Sequence, residues 1–433
     1  MSSTQDIIAR LKQRALKDKE STETKDEVKV STKDLPKSKD GLTIYPSFNK
    51  MNLNKDLLRG IYSIGYEKPS LVQSKAIVPI ISGKDIIIQQ QSGTGKTATF
   101  TIAMLQVLYG LKNKNKNGLQ ALVVSPTREL AIQINGVIEN LGNYLKVKNF
   151  CLVGLTNNVN GDKVSIEKKI KLDLKKLADA DIVSGTPGKI VDCLKRSQID
   201  FENLKMIILD EADELLDENL GFKKQIYEIF NKINSKTQVV ILSATMSSNI
   251  LEISKKIMNW DNHIKILTKK KEISLDVIKQ YKIDLKESWK VNTLQDILNT
   301  VSYQQVVIFV NNVKKCTSLY AFLNKQKFSV VSIHSKLSQL ERLEQMNKFR
   351  NGTYKILVTT DIWARGIDVQ QINLVINYDL PINIENYIHR IGRSGRFGRL
   401  GKAINFVTDE DQKQLAKIEK YYKIDIPDMP SDL

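Results

Sequence analysis

The chain predicts an α/β protein of two consecutive units, each a mostly parallel sheet with helices on both faces. Three observations predict this. At 433 residues it exceeds what one hydrophobic core ordinarily serves. Short runs rich in Val and Ile recur along it, continuous rather than alternating, as in strands buried on both faces. Between the runs lie amphipathic stretches of helix length, the spacing of strand–helix–strand crossovers.

Residues 1–44 are rich in Lys, Asp, Glu, Ser and Thr, poor in apolar side chains, and read as a disordered tail. The first unit spans residues 45–266, with strands expected at DIIIQ (85–89), ALVVS (121–125), DIVSG (181–185), MIILD (206–210) and VVILS (239–243). The charged segment LTKKKEIS, residues 267–274, breaks the pattern and suits a linker. The second unit, residues 275–433, repeats the scheme with QVVIFVN, FSVVSIHS, YKILVTTD, INLVINYD and KAINFVT. Ligands in such sheets bind beyond the carboxyl ends of the strands, so the chemistry is expected in the loops that follow these runs.

The formal net charge of +18 favours a polyanionic partner, although a general enrichment in Lys would produce the same excess. No stretch reaches the ~18 uninterrupted apolar residues of a membrane span. The amino terminus lacks the basic-then-apolar order of a secretory signal. Cys151, Cys193 and Cys316 share no metal-type spacing and read as reduced thiols of a cytoplasmic or nuclear protein.

Two of the expected loops carry a nucleotide signature. After DIIIQ comes QQSGTGKTATF, in which Gly93 and Gly95 allow a tight turn whose N–H groups point at phosphate oxygens. Lys96 places a cation near the β- and γ-phosphates, and Thr97 offers a hydroxyl to Mg²⁺ at the start of a helix. After MIIL, Asp210 is positioned to hold Mg²⁺ and Glu211 to orient and deprotonate a water.

SGTGKT, PTRELA, DEAD, SAT, ARGID and HRIGRSGR occur in that order, and with them the chain resembles the DEAD-box ATP-dependent RNA helicases. The resemblance runs from about Phe48 to the carboxyl end. Within the family it is most similar to the eukaryotic initiation factor 4A group and its exon-junction relative, through segments such as TQVVILSATM, WARGIDVQQ and ENYIHRIGRSGRFGR. It implies two RecA-like domains, ATP and Mg²⁺ as cofactors, RNA-stimulated hydrolysis and local unwinding of RNA.

Site residues follow by the same resemblance. Ser92, Gly93, Thr94, Gly95, Lys96 and Thr97 would cradle the phosphates. Phe48 would stack on adenine and Gln73 would bond its edge; the alternative reading makes Phe48 a core aromatic and Gln73 a helix cap. Ser243 and Thr245 would couple hydrolysis to strand separation. Asp368 would meet the ribose, Arg393 and Arg396 the γ-phosphate, and His389 would connect the phosphate site to the first unit. The resemblance assigns RNA contacts to Thr127, Arg128, Gly154, Thr186, Gly188 and Lys189 in the first unit. It assigns further ones to Asn311, Gln339, Arg342, Thr359 and Asp361 in the second.

The chain departs from the family pattern at Gln90, Leu155, Lys189, Ser335, a Lys-rich insertion near residues 160–177, and a longer acidic DELLDENLGF segment. The implied role is translation initiation in the cytoplasm, as a monomer working with a scaffold protein. The alternative is an ATP-gated clamp on RNA in a nuclear junction or splicing complex.

Overall fold

Continuous apolar runs become central strands here because helices cover both of their faces. The computed structural model describes residues 35–38, 41–90, 95–112, 118–153, 173–217, 220–267, 278–361, 369, 371–395 and 400–430. They divide into two compact units on either side of the Leu267/Thr268 boundary.

The first unit holds β1 (Asp85–Gln89), β2 (Ala121–Val124), β3 (Asn149–Leu152), β4 (Ile182–Gly185), β5 (Met206–Leu209), β6 (Gln238–Ser243) and β7 (His263–Leu267). These pair in parallel in the order β3-β4-β2-β5-β6-β1-β7. Successive side chains of a strand point to opposite faces. Accordingly Ile86 and Ile88 pack with Ile77, Phe100 and Ile134 on one side, while Ile87 packs with Ile250 and Ile253 on the other.

The second unit holds β8 (Ile278–Asp284), β9 (Gln305–Phe309), β10 (Val330–Ile333), β11 (Ile356–Thr359), β12 (Ile372–Asn377) and β13 (Gly401–Val407). Their order is β10-β11-β9-β12-β13-β8, again parallel. Val306 and Ile308 face one core with Leu319 and Leu323, and Val307 and Phe309 face another with Met346 and Phe349.

Each apolar run singled out in the sequence forms a strand. The strands that reading passed over, β3, β7 and β8, all lie at sheet edges. An edge strand is covered on fewer sides and tolerates polar and charged side chains. β7 (HIKIL) and β8 (IKQYKID) accordingly show partly exposed residues along most of their length.

The stretch expected to be disordered up to residue 44 is folded in part. Lys37 and Thr43 form an antiparallel bridge, the Ile44 N–H donates to the Pro36 carbonyl at 2.7 Å, and Leu35 packs on the first unit's core. Gly41, at φ +74°, makes the reversal possible, and Leu35 supplies the apolar surface that anchors it. The rest of the tail, residues 268–274 of the linker and most of the Lys-rich insertion lie outside the described residues; Leu267 ends β7. Among the described residues, no helix is long and apolar enough to cross a membrane.

Candidate active site

In the first unit, chemistry gathers at the carboxyl ends of β1, β5 and β6. Gly95 follows β1 at φ +90°, a conformation that favours glycine; a Cβ there would stand 2.6 Å from Gln73 Nε2. Lys96 opens the helix Lys96–Lys112 and is 5% exposed. Thr97, next in the same turn, is half-buried. Ser92, Gly93 and Thr94 lie outside the described residues.

Asp210 extends β5 by donating its N–H to the Val124 carbonyl at 3.0 Å. Glu211 adopts φ +51°, a left-handed conformation that is costly for a side-chain-bearing residue and clusters at functional sites. Both carboxyls are buried, and Lys96 Nζ stands 3.6 Å from Glu211 Oε1. Burial, and then the neighbouring Glu211 charge, push the Asp210 carboxyl up to about 7. The Glu211 N–H, donated to Asp210 Oδ1 at 3.0 Å, and the Lys96 cation offset only part of this.

The SAT segment is wired to both neighbours. The Gln90 N–H donates to the Ser243 carbonyl at 2.9 Å. The Ser243 hydroxyl donates to the Thr245 carbonyl, and the Thr245 hydroxyl donates to Asp213 Oδ2 at 3.1 Å. This chain joins the strand leading into the glycine turn to the acidic segment. Asp213 is a participant that sequence reading passed over; its signal was its place as the last letter of DEAD, one turn after Asp210.

The two residues expected at adenine lie in different surroundings. Phe48 is fully buried among core side chains, edge-on to Tyr62 with centroids 6.5 Å apart. Gln73 completes a capping box with Ser70, its Oε1 accepting the Ser70 N–H at 2.8 Å. Its Nε2 also donates to the Gly95 carbonyl at 3.4 Å, so this cap supports the glycine turn.

On the same unit, Arg128, Thr186, Gly188 and Lys189 line one groove of about 390 Å³. Thr186 and Gly188 belong to the amino end of the helix Pro187–Lys195, where first-turn amides and the helix dipole favour an anion. Thr127 stands at the amino end of the helix Arg128–Leu141, its hydroxyl accepting the Leu130 N–H at 3.2 Å. Lys189 pairs with Asp192 on its own helix at 2.7 Å. Phe222 and Gln225, from the helix Phe222–Phe230, complete the groove wall; sequence reading treated their neighbourhood only as an acidic extension. Gly154 lies outside the described residues.

In the second unit the helix Ile384–Ile391 carries His389 and Arg390, and Arg393 follows it. His389 and Arg393 are buried, and Arg393 Nε donates to the His389 carbonyl at 2.9 Å. Arg390, which sequence reading left without a role, is fully buried and bonded through several of its nitrogens. It donates to Asp361, to Asn311 Oδ1 at 2.9 Å, to Asn377 Oδ1 at 3.3 Å and to the Asp379 carbonyl at 2.7 Å.

Three residues expected to face RNA are thereby engaged inside this unit. Asn311 and Asp361 accept from Arg390, and Thr359 is fully buried with its hydroxyl donating to the Ile333 carbonyl at 2.8 Å. A buried guanidinium must be bonded, and strand-end amides and carboxylates are the groups within reach. Arg342 is half-buried on the helix Gln339–Arg350. Asp368, Arg396 and the Gln339 side chain lie outside the described residues.

Residues 70–253 match the DEAD/DEAH box helicase family and residues 289–398 match the helicase conserved C-terminal domain. The ATP-dependent RNA helicase FAL1 of Kluyveromyces lactis is 53% identical over 394 residues, which cover 90% of this chain and 94% of that protein. FAL1 of Saccharomyces cerevisiae is 52% identical with the same coverage. Among solved structures, S. cerevisiae Dbp5 bound to RNA and ADP BeF3 matches with a TM-score of 0.79 and 32% identity, over 90% of this chain and 96% of that one. Mss116p bound to single-stranded RNA and AMP-PNP matches with a TM-score of 0.78 and 26% identity, over 92% and 82%. Two parallel-sheet domains, Lys96 beside a buried acid pair and matches of this extent agree: the chain belongs to the DEAD-box family of ATP-dependent RNA helicases.

Proposed function

We propose that Lys96 and the turn ending at Gly95 grip the triphosphate of ATP, and that Glu211 orients and deprotonates the attacking water. Arg393 and Arg396 supply positive charge for the terminal phosphate as the reaction proceeds; an always-charged planar fork suits phosphate oxygens. The observation that carries this reading is the acid pair buried at the end of β5, with Lys96 Nζ 3.6 Å from Glu211. Buried titratable groups gathered with shifted protonation at a strand's carboxyl end are a common mark of a functional site.

Thr97 and Asp210 are oxygen donors of the kind Mg²⁺ prefers, and a carboxyl pushed up to about 7 beside a second carboxylate suits a divalent cation. Mg²⁺, when bound, neutralises phosphate charge. Thr97 and Asp210 would hold it, and Glu211 accepts the proton from water.

RNA engages the groove of the first unit through phosphates and 2′-hydroxyls, which makes binding tolerant of sequence. ATP and RNA each favour the same closed state and tighten each other's binding reciprocally, so unwinding is local. The relatives named above bear the name FAL1 and not that of an initiation factor. That draws the cellular role away from translation initiation, the process first expected, and towards one shared with FAL1 proteins. Residence in the cytoplasm, or in the nucleus on the clamp reading, stays the expectation, with a scaffold protein as partner.

Steady-state ATP hydrolysis with and without single-stranded RNA tests the chemistry. Strong stimulation is expected, and it should disappear in Arg393→Ala; unstimulated turnover would overturn the reading. Affinity capture from cells tests the process. Recovery of a cap-binding scaffold would restore the initiation role, and recovery of junction proteins would favour the clamp.

A further inference from the structure

We infer that Gln225 reads the ribose 2′-hydroxyl, and so sets much of the preference of this groove for RNA over DNA. The inference rests on the RNA-binding reading of the groove and names the residue that makes it selective.

The groove wall divides by chemistry. Arg128 and Lys189 bring cations, and the amino end of the helix Pro187–Lys195 brings Gly188 and a favourable dipole. All of these suit phosphodiester oxygens, which accept hydrogen bonds and never donate them. Gln225 Oε1 is the opposite kind of group, an acceptor. It is buried and has no hydrogen-bond partner among the described residues. A buried acceptor left unmade is costly, so a donor is expected to meet it when the groove is occupied.

A phosphate cannot be that donor. Each ribonucleotide carries one beside its phosphate, the 2′-hydroxyl, which deoxyribonucleotides lack. Registration is also favourable. A Cβ on Gly188 would stand 3.7 Å from Gln225 Oε1, so the amide lies directly beside the backbone that would take the phosphate. Phe222, half-buried one turn earlier on the same helix, adds an apolar wall suited to the face of a sugar or base. Base N–H groups are the other donors on a nucleic acid. They differ from base to base, whereas the 2′-hydroxyl recurs at every step.

The test uses the full chain, with Gln225→Met as an apolar replacement of similar length. Binding of a fluorescent single-stranded RNA and of DNA of the same sequence is measured with a non-hydrolysable ATP analogue present. The variant should bind RNA about five- to tenfold more weakly, the worth of one lost hydrogen bond, with DNA binding unchanged. A second arm needs no variant. Single 2′-O-methyl substitutions, which remove the donor, are walked along the RNA against the unaltered protein. One position should reproduce the loss, and that position should become silent in Gln225→Met.

Equal losses on RNA and DNA, an unchanged RNA preference, or a loss confined to one homopolymer with no 2′ dependence would each overturn the inference. If the unaltered protein fails to bind RNA at all, the reading of the groove fails instead.

Discussion

The two units share an architecture but keep their buried charges in opposite conditions. In the second, Arg390 is saturated by Asp361, Asn311, Asn377 and the Asp379 carbonyl, and Asp379 is bonded by Lys315 at 2.7 Å and Lys290 at 3.3 Å. In the first, Asp210 and Glu211 share a buried site beside Lys96, and Glu211 sits on left-handed backbone. One unit spends its charges on holding itself together. The other places two neighbouring carboxyls in one buried site on left-handed backbone, an arrangement typical of sites where function is traded against stability.

The largest effect expected from this contrast is Glu211→Gln. Removing the water-activating carboxylate should lower turnover by about 10²–10⁴-fold, with ATP and RNA binding retained. RNA-stimulated phosphate release and equilibrium binding check it together. Normal hydrolysis would break the contrast at its functional end.

Arg390→Met addresses the other end. It strands Asp361 and two asparagines, and breaking a buried charge network typically costs about 3–5 kcal/mol. Denaturant unfolding of the full chain should show one transition moved to much lower denaturant while the other stays in place. A shift of both transitions would mean that Arg390 does not act within its own unit.

A third expectation concerns pH. The native Asp210 carboxyl stands at about 7 against an ordinary 3.8, so the folded protein binds this proton more tightly than the unfolded chain. For the ligand-free protein the penalty is complete above about pH 7 and fades as the pH falls towards about 4. Asp210→Asn should therefore raise the melting temperature at about pH 8 and have little effect at about pH 4. Asp379 has the reverse sign. Burial alone would raise it, but bonds from Lys315 and the Asn311 N–H hold it below its ordinary value. Its contribution is present at neutral pH and is lost on acidification. Differential scanning calorimetry of the two asparagine variants across pH distinguishes these opposite slopes.

The smallest expected effect is at the groove. Asp192→Asn frees Lys189 from its partner on the same helix, and RNA affinity should rise about two- to threefold with a steeper dependence on salt. An unchanged salt slope would show that Lys189 does not reach phosphate.

Legibility in the sequence followed burial. Central strands such as DIIIQ and QVVIFV advertise themselves because both faces need apolar side chains. Edge strands such as HIKIL do not, because solvent tolerates their Lys and His. The phosphate turn and acid pair were legible because few alternatives explain GKT and DEAD after apolar strands. Less legible were the polar residues at strand ends. Asn311, Thr359 and Asp361 read the same whether they face a ligand or an internal arginine, and only the path of Arg390 decides between them. Gln225 carried no signal at all, since a glutamine on an amphipathic helix is ordinary until its neighbour across a groove is known.

Strand order has a consequence for how the protein is made. β1, which delivers the phosphate turn, is flanked by β6 and β7, the last two strands of its unit. A ribosome must therefore release residue 267 before β1 has both neighbours. Until then the strand leading into the turn lacks its bond to Ser243, and the sheet has a gap beside it. Pairings this distant in sequence form slowly. A nascent chain should gain its grip on ATP in a single late step, and ATP supplied during synthesis should protect the finished first unit but no shorter fragment.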